Sequence, residues 1–240
     1  MTRINRVQHG STIYVKQGYG SYSSRSIVMG GSAIVQAACH LKDAIRAAAA
    51  KRLGCEPGAI AIDGDNATGP NRASVTLAAL AADEISAEGT YSSNKRTYSY
   101  GAHAAHVAVD PRTGHVALID YMATEDVGRI INPLTLHGQT VGAIVQGLGG
   151  ALLENLLYDS EGQFLSGSLA DYLLPTASDF PTIRAHALEE KPAPGNPLGA
   201  KGAGEGGIIP VGGVIANAVA DALSSLGVEP RALPLSPPRV

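Results

Sequence analysis

Hydrophobic positions recur at helical spacing in three stretches of the chain. They occupy one face of residues 30–52, where charged residues fall on another face, and they recur over residues 134–157 and 211–223. Gly54 follows the first stretch and is typical of a helix end. Pro210 precedes the third stretch, and proline is favoured where a helix begins. The pattern predicts three helices.

Shorter apolar runs separated by turn residues predict strands. Predicted strands lie within residues 59–75, around a turn at 63–66, and within 183–189, and residues 74–84 predict a short helix. A hairpin is predicted from 102–109 and 115–123 around the turn 110–114. Residues 1–29 are polar and rich in Gly and Ser, which favours a loop or short strand. Without an internal repeat or linker, we expect residues 1–240 to form one interwoven α+β domain with a mixed sheet and long glycine-rich helices.

The composition indicates a globular protein with large partner interfaces. Of the 240 residues, 45% are hydrophobic and only 16% are charged. The net charge of −3 and the lack of a Lys/Arg-rich run argue against nucleic-acid binding, and no uncharged run is apolar enough to predict a membrane span. Residues 1–30 show no secretion signal, so a cytoplasmic location is expected. Cys39 and Cys55 are too few for a disulfide framework or for an iron–sulfur cluster, which takes four cysteines.

The most distinctive stretch is 199–207, in which Glu205 and Lys201 stand among five glycines. Prolines precede it and a predicted helix follows, so Glu205 is expected on a tight loop leading into a helix. Gly202, Gly204 and Gly207 match the dinucleotide-binding spacing G-x-G-x-x-G. A strand should lead directly into that motif, and the prolines argue against one. The remaining interpretations of Glu205, a general base or a structural cap, are equally compatible with the spacing.

Three further sets of polar residues are candidates for binding. The hydroxyl-rich loop 24–32 leads into the first predicted helix and would suit an anion, although an ordinary helix cap is the favoured alternative. Gln139 and Gln146 are seven residues apart and share a face of the second helix, where many small residues suggest close approach of a backbone or cofactor; tight helix packing is equally compatible. His103 and His106 would point to opposite faces of a strand, which argues against shared metal ligation.

Taken together and in order, five motifs resemble the molybdenum hydroxylase family, which includes xanthine dehydrogenase, aldehyde oxidase and carbon monoxide dehydrogenase. The motifs are Gly20-Ser21-Tyr22-Ser23-Ser24-Arg25-Ser26; Asp126-Val127-Gly128-Arg129-Ile130-Ile131-Asn132-Pro133 with Gly138-Gln139 and Gln146-Gly147; Asp171-Tyr172-Leu173-Leu174-Pro175-Thr176; Pro197 to Gly207; and Leu233-Pro234-Leu235-Ser236-Pro237. The resemblance covers nearly the whole chain. It implies the second half of a molybdopterin-binding domain, at the C-terminal end of a catalytic subunit.

This resemblance also implies roles for individual residues. In the family, molybdenum is held by a pterin dithiolene and not by protein side chains, and a glutamate at the position of Glu205 accepts the proton of the attacking oxygen. Lys201, Gly202, Ala203 and Gly204 would line the pterin, and the helix carrying Gln139 and Gln146 would pass close to it. Ser24, Arg25 and Ser26 would bind the pyrophosphate or nucleotide end of the cofactor, which is expected in its cytosine dinucleotide form.

Compared with the family, the chain lacks the upstream part of the domain, so we expect another chain to supply it or this chain to be a fragment. The expected reaction is oxidative hydroxylation of an aldehyde or N-heterocycle, a small-molecule substrate, with water as the oxygen source. Iron–sulfur clusters and FAD would then reside on partner chains. Two alternatives stay open: a non-catalytic assembly or scaffold piece that retains the fold without cofactor, and a nucleotide-binding module.

Overall fold

The structure is a computed structural model that describes residues 6–18 and 20–240. It contains two compact units. The first comprises the described residues of 1–22 together with 26–95, and the second comprises 23–25 together with 96–240. None of the helices in the described part of the chain is long and apolar enough to cross a membrane. The expectation that residues 1–240 act as one cofactor-binding domain stays a prediction.

A long helix and a small sheet build the first unit. A π-helical turn at Ile27–Gly31 leads into α1 (Ser32–Leu53), which ends where Gly54 adopts a left-handed conformation with φ of 66°. An antiparallel three-stranded sheet follows, and its strands are β1 (Ala61–Asp63), β2 (Asn66–Thr68) and β3 (Ser74–Thr76). These elements confirm the predicted first helix and the strands on either side of the turn at 63–66.

The predicted helix 74–84 is much shorter in the structure. Ser74–Thr76 is strand β3, and only Leu77–Leu80 forms an α-helix, α2, followed by a 3₁₀ turn at Ala81–Asp83. Thr76 ends the strand and starts the helix, because its Oγ1 accepts a hydrogen bond from Ala79 N at 3.1 Å. A small core holds the unit together; its buried members are Ile45, Ala49, Ala50, Ile60, Ala67 and Leu80.

In the second unit the sheet is mixed. The predicted hairpin is confirmed and is longer than expected, with β4 (Tyr100–Asp110) antiparallel to β5 (His115–Asp126) and a bulge between His106 and Val107. The last strand, β6 (Arg184–Leu188), lies parallel to β5. The sequence predicts this strand but does not predict that it pairs with β5. The α+β class with a mixed sheet is thereby confirmed.

Both remaining helices pack beside this sheet. Helix α3 (Pro133–Leu152) begins at Asn132, whose side chain accepts hydrogen bonds from Leu134 N and Thr135 N. Helix α4 (Val211–Ala222) begins after Pro210, as predicted. The two helices and the sheet share one apolar core, whose fully buried side chains include Tyr121, Ile144, Val211, Ile215 and Val219.

The predicted end of α3 at residue 157 is wrong by five residues. Leu153 N and Glu154 N both donate to Gly149 O, which closes the last turn. Leu157 then exchanges hydrogen bonds with the segment 165–166 and no longer belongs to the helix. Helix–helix contact explains only part of the glycine content. A Cβ on Gly147 would lie 2.7 Å from Val211 Cβ of α4, whereas Gly138, Gly142 and Gly150 have no neighbour within 4 Å of such an atom.

At the C-terminus, the proline-rich segment 233–240 contributes to the core of the second unit. Leu235 is buried in the core, its N–H donates to Ala151 O at 2.7 Å, and Pro237–Arg239 forms a 3₁₀ turn. At the other end, the loop prediction for residues 1–29 includes Met1–Asn5 and Tyr19, which lie outside the described residues. Residues 6–18 contain no helix or strand, in keeping with that prediction, whereas the π-helical turn at Ile27–Gly31 shows that it is wrong for residues 27–29.

Candidate functional site

The loop that carries Glu205 begins beside the end of strand β5. Gly128 and Ala200 form an isolated antiparallel bridge. On either side of it, Lys201 N donates to Val127 O at 2.8 Å and Arg129 N donates to Gly199 O at 2.9 Å. The proline-rich segment before residue 199 therefore meets the strand end by backbone pairing. This pairing fixes where the glycine-rich stretch begins.

A buried ion pair lies immediately below that bridge. Lys201 Nζ is 2.7 Å from Asp126 Oδ1, and the two side chains are 6% and 2% exposed. Asp126 also accepts hydrogen bonds from Gly128 N at 3.0 Å and Lys191 N at 3.1 Å, and the Lys201 ammonium lies 4.4 Å from the centre of the Tyr100 ring. Burial alone would raise the pKa of Asp126, but the hydrogen bonds and the charge of Lys201 outweigh it and lower the pKa. Lys201 thus has a structural partner here, and its contact with a pterin stays a prediction.

Glu205 is exposed, and Ser24 holds it at two points. Ser24 Oγ donates to Glu205 Oε2 at 2.7 Å and accepts from Glu205 N at 2.9 Å, across 181 residues of sequence. Ser24 and its neighbour Ser23 both have a φ of 52°, a left-handed conformation that is unfavourable for residues other than glycine. This backbone conformation places the Ser24 hydroxyl at the loop. The carboxylate keeps access to solvent while its orientation is restrained.

The glycines beside Glu205 allow the two segments to approach closely. A Cβ on Gly202 would lie 2.8 Å from Ser24 Cβ, too close for any larger residue. Gly202 N donates to Thr97 Oγ1 at 3.2 Å, and Gln139 Nε2 of helix α3 donates to Gly204 O at 2.8 Å. The structure thus brings together Ser24, Gln139 and the 202–205 loop, three elements that the sequence analysis selected separately.

Other predicted site residues lie in varied surroundings. Arg25 is half-buried and has interactions of its own, and Ala203 is half-buried on the loop. Ser26 belongs to the first unit, where its hydroxyl hydrogen-bonds to that of Ser21. Gln146 is exposed. Of the two glutamines predicted to share a face of the helix, Gln139 is the one whose hydrogen bond to the loop the structure shows. The cofactor contacts predicted for all of these residues stay predictions.

Sequence reasoning assigned no role at the loop to four polar residues near it. One is Asp126, which pairs with Lys201; the others are Glu125, His103 and Tyr121, which form a buried hydrogen-bonded chain. The alternation of residues 121, 123 and 125 along one strand face could have indicated that they point into the core. No local signal shows that a histidine on the neighbouring strand meets them.

This arrangement defines a class of site: an exposed, restrained carboxylate on a glycine loop, surrounded by hydroxyl and amide groups, in an α+β domain with a mixed sheet. Among the described residues, no group of three or more His, Cys, Asp or Glu side chains could hold a metal ion directly. The site therefore offers hydrogen bonds and one carboxylate. Such groups suit an organic cofactor and a proton transfer.

The chain belongs to the molybdopterin cofactor-binding domain family, whose family model matches residues 2–181. It is 36% identical over 98% of its length to the 6-hydroxypseudooxynicotine dehydrogenase complex subunit gamma of Paenarthrobacter nicotinovorans, and covers 31% of that protein. The family model ends at residue 181, before the Glu205 loop. The predicted resemblance to the molybdenum hydroxylases is thereby confirmed.

Solved structures of similar proteins agree with this assignment. The quinoline 2-oxidoreductase of Pseudomonas putida 86 superposes with a TM-score of 0.81 and 34% identity, over 92% of this chain and 30% of that one. The carbon monoxide dehydrogenase of Oligotropha carboxidovorans gives a TM-score of 0.83 and 28% identity, over 97% of this chain and 30% of that one. The chain thus spans about a third of the length of these relatives.

The observed site is compatible with a molybdopterin cofactor. The loop carrying Ser24, predicted to bind the phosphate end, and the loop carrying Glu205, predicted to face the reacting centre, meet where Gly202 permits close approach. A cofactor that spans both loops would contact donors on each of them. Ser24, Gly204 and Gln139 lie together where the loops meet, and their contact with a cofactor stays a prediction.

Proposed function

We propose that this chain is the C-terminal, cofactor-bordering part of a molybdenum hydroxylase catalytic unit, with Glu205 as its general base. The observation that carries the proposal is the geometry of Glu205: an exposed carboxylate whose N–H and Oε2 are both bonded to Ser24. As a cap, the carboxylate would accept from a backbone N–H, whereas here Oε2 accepts from the Ser24 hydroxyl. Restraint of the carboxylate together with access to solvent is what a proton-accepting group requires.

The proposed reaction converts a C–H bond of the substrate and one water into a C–OH group, two protons and two electrons. When bound, the molybdenum cofactor supplies the site that accepts the electron pair. Glu205 accepts the proton of the water-derived nucleophile through the oxygen that is not held by Ser24. The Ser24 hydroxyl keeps the carboxylate in place during this transfer, and the close packing at Gly202 holds the loop against Ser24.

Names of the relatives support a substrate class. Two of them, the 6-hydroxypseudooxynicotine dehydrogenase subunit and the quinoline 2-oxidoreductase, are named for nicotine-derived and N-heterocyclic compounds. We therefore favour an N-heterocycle over an aldehyde as substrate. The proposal further includes the cytosine dinucleotide form of the cofactor, iron–sulfur and FAD centres on partner chains to take up the two electrons, and additional polypeptide that supplies the rest of the catalytic unit.

Analysis of the complex that contains this chain tests the proposal. We expect molybdenum and pterin in the purified complex, and incorporation of ¹⁸O into product when turnover is run in ¹⁸O-labelled water. A complex that contains neither molybdenum nor pterin would contradict the proposal and would favour the scaffold alternative. Product oxygen that comes from O₂ would contradict the use of water.

Removal of the Ser24 hydroxyl is expected to weaken turnover moderately. In Ser24→Ala the Glu205 carboxylate loses one hydrogen bond, worth about 1 kcal/mol, so kcat should fall about fivefold. The measurement is steady-state kinetics of the complex, with Ser178→Ala, which removes an exposed hydroxyl paired with Thr176, as the control. An unchanged kcat in Ser24→Ala would contradict the positioning role of Ser24, and a loss of molybdenum would assign Ser24 to cofactor binding instead.

A further inference from the structure

Strand pairing brings three polar side chains together in the core of the second unit. On β5, Tyr121 and Glu125 lie on one face with Ala123 between them, and His103 of β4 is the direct partner of Ala123. His103 is therefore the diagonal neighbour of both. All three are removed from solvent: Tyr121 is 0% exposed, and the side chains of His103 and Glu125 are 1% and 6% exposed.

The three groups form a continuous hydrogen-bonded chain. Tyr121 Oη lies 2.9 Å from His103 Nδ1, with the two rings edge to face, and His103 Nε2 lies 3.1 Å from Glu125 Oε1. Burial, and then the charge of Glu125, raises the pKa of Tyr121, so the phenol keeps its proton. When the His103 ring is neutral, this O–H donates to Nδ1. The ring proton is then on Nε2 and is donated to Glu125, which fixes the direction of the carboxylate.

The second oxygen of Glu125 is directed at the loop that carries Glu205. Glu125 Oε2 is buried and has no hydrogen-bond partner among the described residues. A Cβ built on Gly206 would lie 2.5 Å from this oxygen, so the backbone of Gly206 rests directly against it and a larger residue would displace the carboxylate. A carboxylate oxygen buried without a partner is rare in folded proteins and calls for an explanation.

We propose that Glu125, oriented by His103 and Tyr121, is a positioning residue that holds the Glu205 loop in place at Gly206. Three consecutive loop residues then each have a polar support: Gln139 on the carbonyl of Gly204, Ser24 on Glu205, and Glu125 under Gly206. The Cα–H of Gly206 faces Oε2 as a weak donor. The inference rests on the proposed role of Glu205 as the general base.

Glu125→Gln is the most informative variant because it keeps the shape of the side chain and removes its charge. An amide has one oxygen, whereas here one carboxylate oxygen pairs with His103 and the other faces Gly206. Either His103 Nε2–H or Gly206 must then face the NH₂ group, and the loop loses its support. Tyr121→Phe acts at the other end of the hydrogen-bonded chain. It removes the hydroxyl that donates to His103 Nδ1, while the ring still fills the core.

The experiment combines amide hydrogen exchange of residues 199–209 with kinetics and molybdenum analysis on the complex that contains this chain. For Glu125→Gln we expect exchange in the loop to accelerate about fivefold or more, kcat to fall about tenfold and KM to change less than about threefold, with molybdenum content unchanged. Tyr121→Phe should change exchange and kcat in the same direction by smaller factors. Asp120→Asn makes the carboxylate-to-amide change at an exposed position of the same strand and should match the wild-type protein.

Wild-type exchange and kcat in either Glu125→Gln or Tyr121→Phe would overturn the positioning role. A Glu125→Gln protein that fails to fold leaves Tyr121→Phe to decide. The exchange measurement separates this inference from the proposed function. Faster loop exchange in Glu125→Gln, combined with full activity in Glu205→Gln, would retain the positioning of the loop and reject Glu205 as base.

Discussion

Glu205→Gln is expected to abolish turnover while the cofactor content of the complex stays at the wild-type level. The amide cannot accept a proton, whereas its oxygen can still receive the Ser24 hydroxyl, so the loop retains its shape. Loss of a positioned general base costs on the order of 10²–10⁴-fold in kcat. Steady-state kinetics together with molybdenum analysis measures both quantities on the same preparation.

Glu161→Gln is the matched control for this prediction, because Glu161 is an exposed glutamate in the turn 158–163. It should turn over like the wild-type protein. If Glu205→Gln does so too, Glu205 is a structural cap and the base lies elsewhere. If Glu205→Gln loses molybdenum, the residue contributes to cofactor binding, and a base role would need separate evidence.

Asp126→Asn is expected to have the largest effect on stability. It leaves the Lys201 ammonium buried without its counter-ion, and removal of one partner from a buried ion pair costs about 3–5 kcal/mol of unfolding free energy. Denaturant unfolding of the wild-type and variant proteins measures the difference. Asp120→Asn removes one half of the exposed pair with Arg184 and should cost less than about 1 kcal/mol. Equal losses in the two variants would contradict the structural role of the buried pair.

The same ion pair predicts how stability depends on pH. The pKa of Asp126 is lower in the folded protein than its ordinary value near 4, so its contribution is fully present above about pH 4. The contribution is lost as the pH falls from there through the folded-state pKa. In the wild-type protein stability should drop over this acid range, and the Asp126→Asn protein should lack that part of the drop.

Local signals in the sequence predicted the elements better than the contacts between them. The hairpin β4–β5 was predictable because the turn 110–114 selects its own strand pairing. Nothing local indicates that β6 pairs with β5 in parallel, because that pairing depends on the packing of α3 between them in the chain. Helix α3 also ended early, since the bonds of Leu157 to residues 165–166 override the apolar pattern.

For the candidate site too, local features were predictable and contacts between distant residues were not. Glycine content and prolines were enough to place Glu205 on a loop that leads into a helix. The bond to Ser24 was not predictable, because the two residues are 181 positions apart. His103 was weighed only as a metal ligand; its buried position and its partner Glu125 follow from strand register, which fixes the face a side chain occupies.

The chain order of the two units affects how the site forms during protein synthesis. Ser23–Arg25 belongs to the second unit although the first unit, residues 26–95, follows it in sequence. The partner of Ser24 is Glu205, which is made 181 residues later. At about 5–20 residues per second, synthesis of the intervening segment takes roughly 10–40 s. Residues 26–95 of the first unit are therefore all synthesised well before the Ser24–Glu205 contact can form.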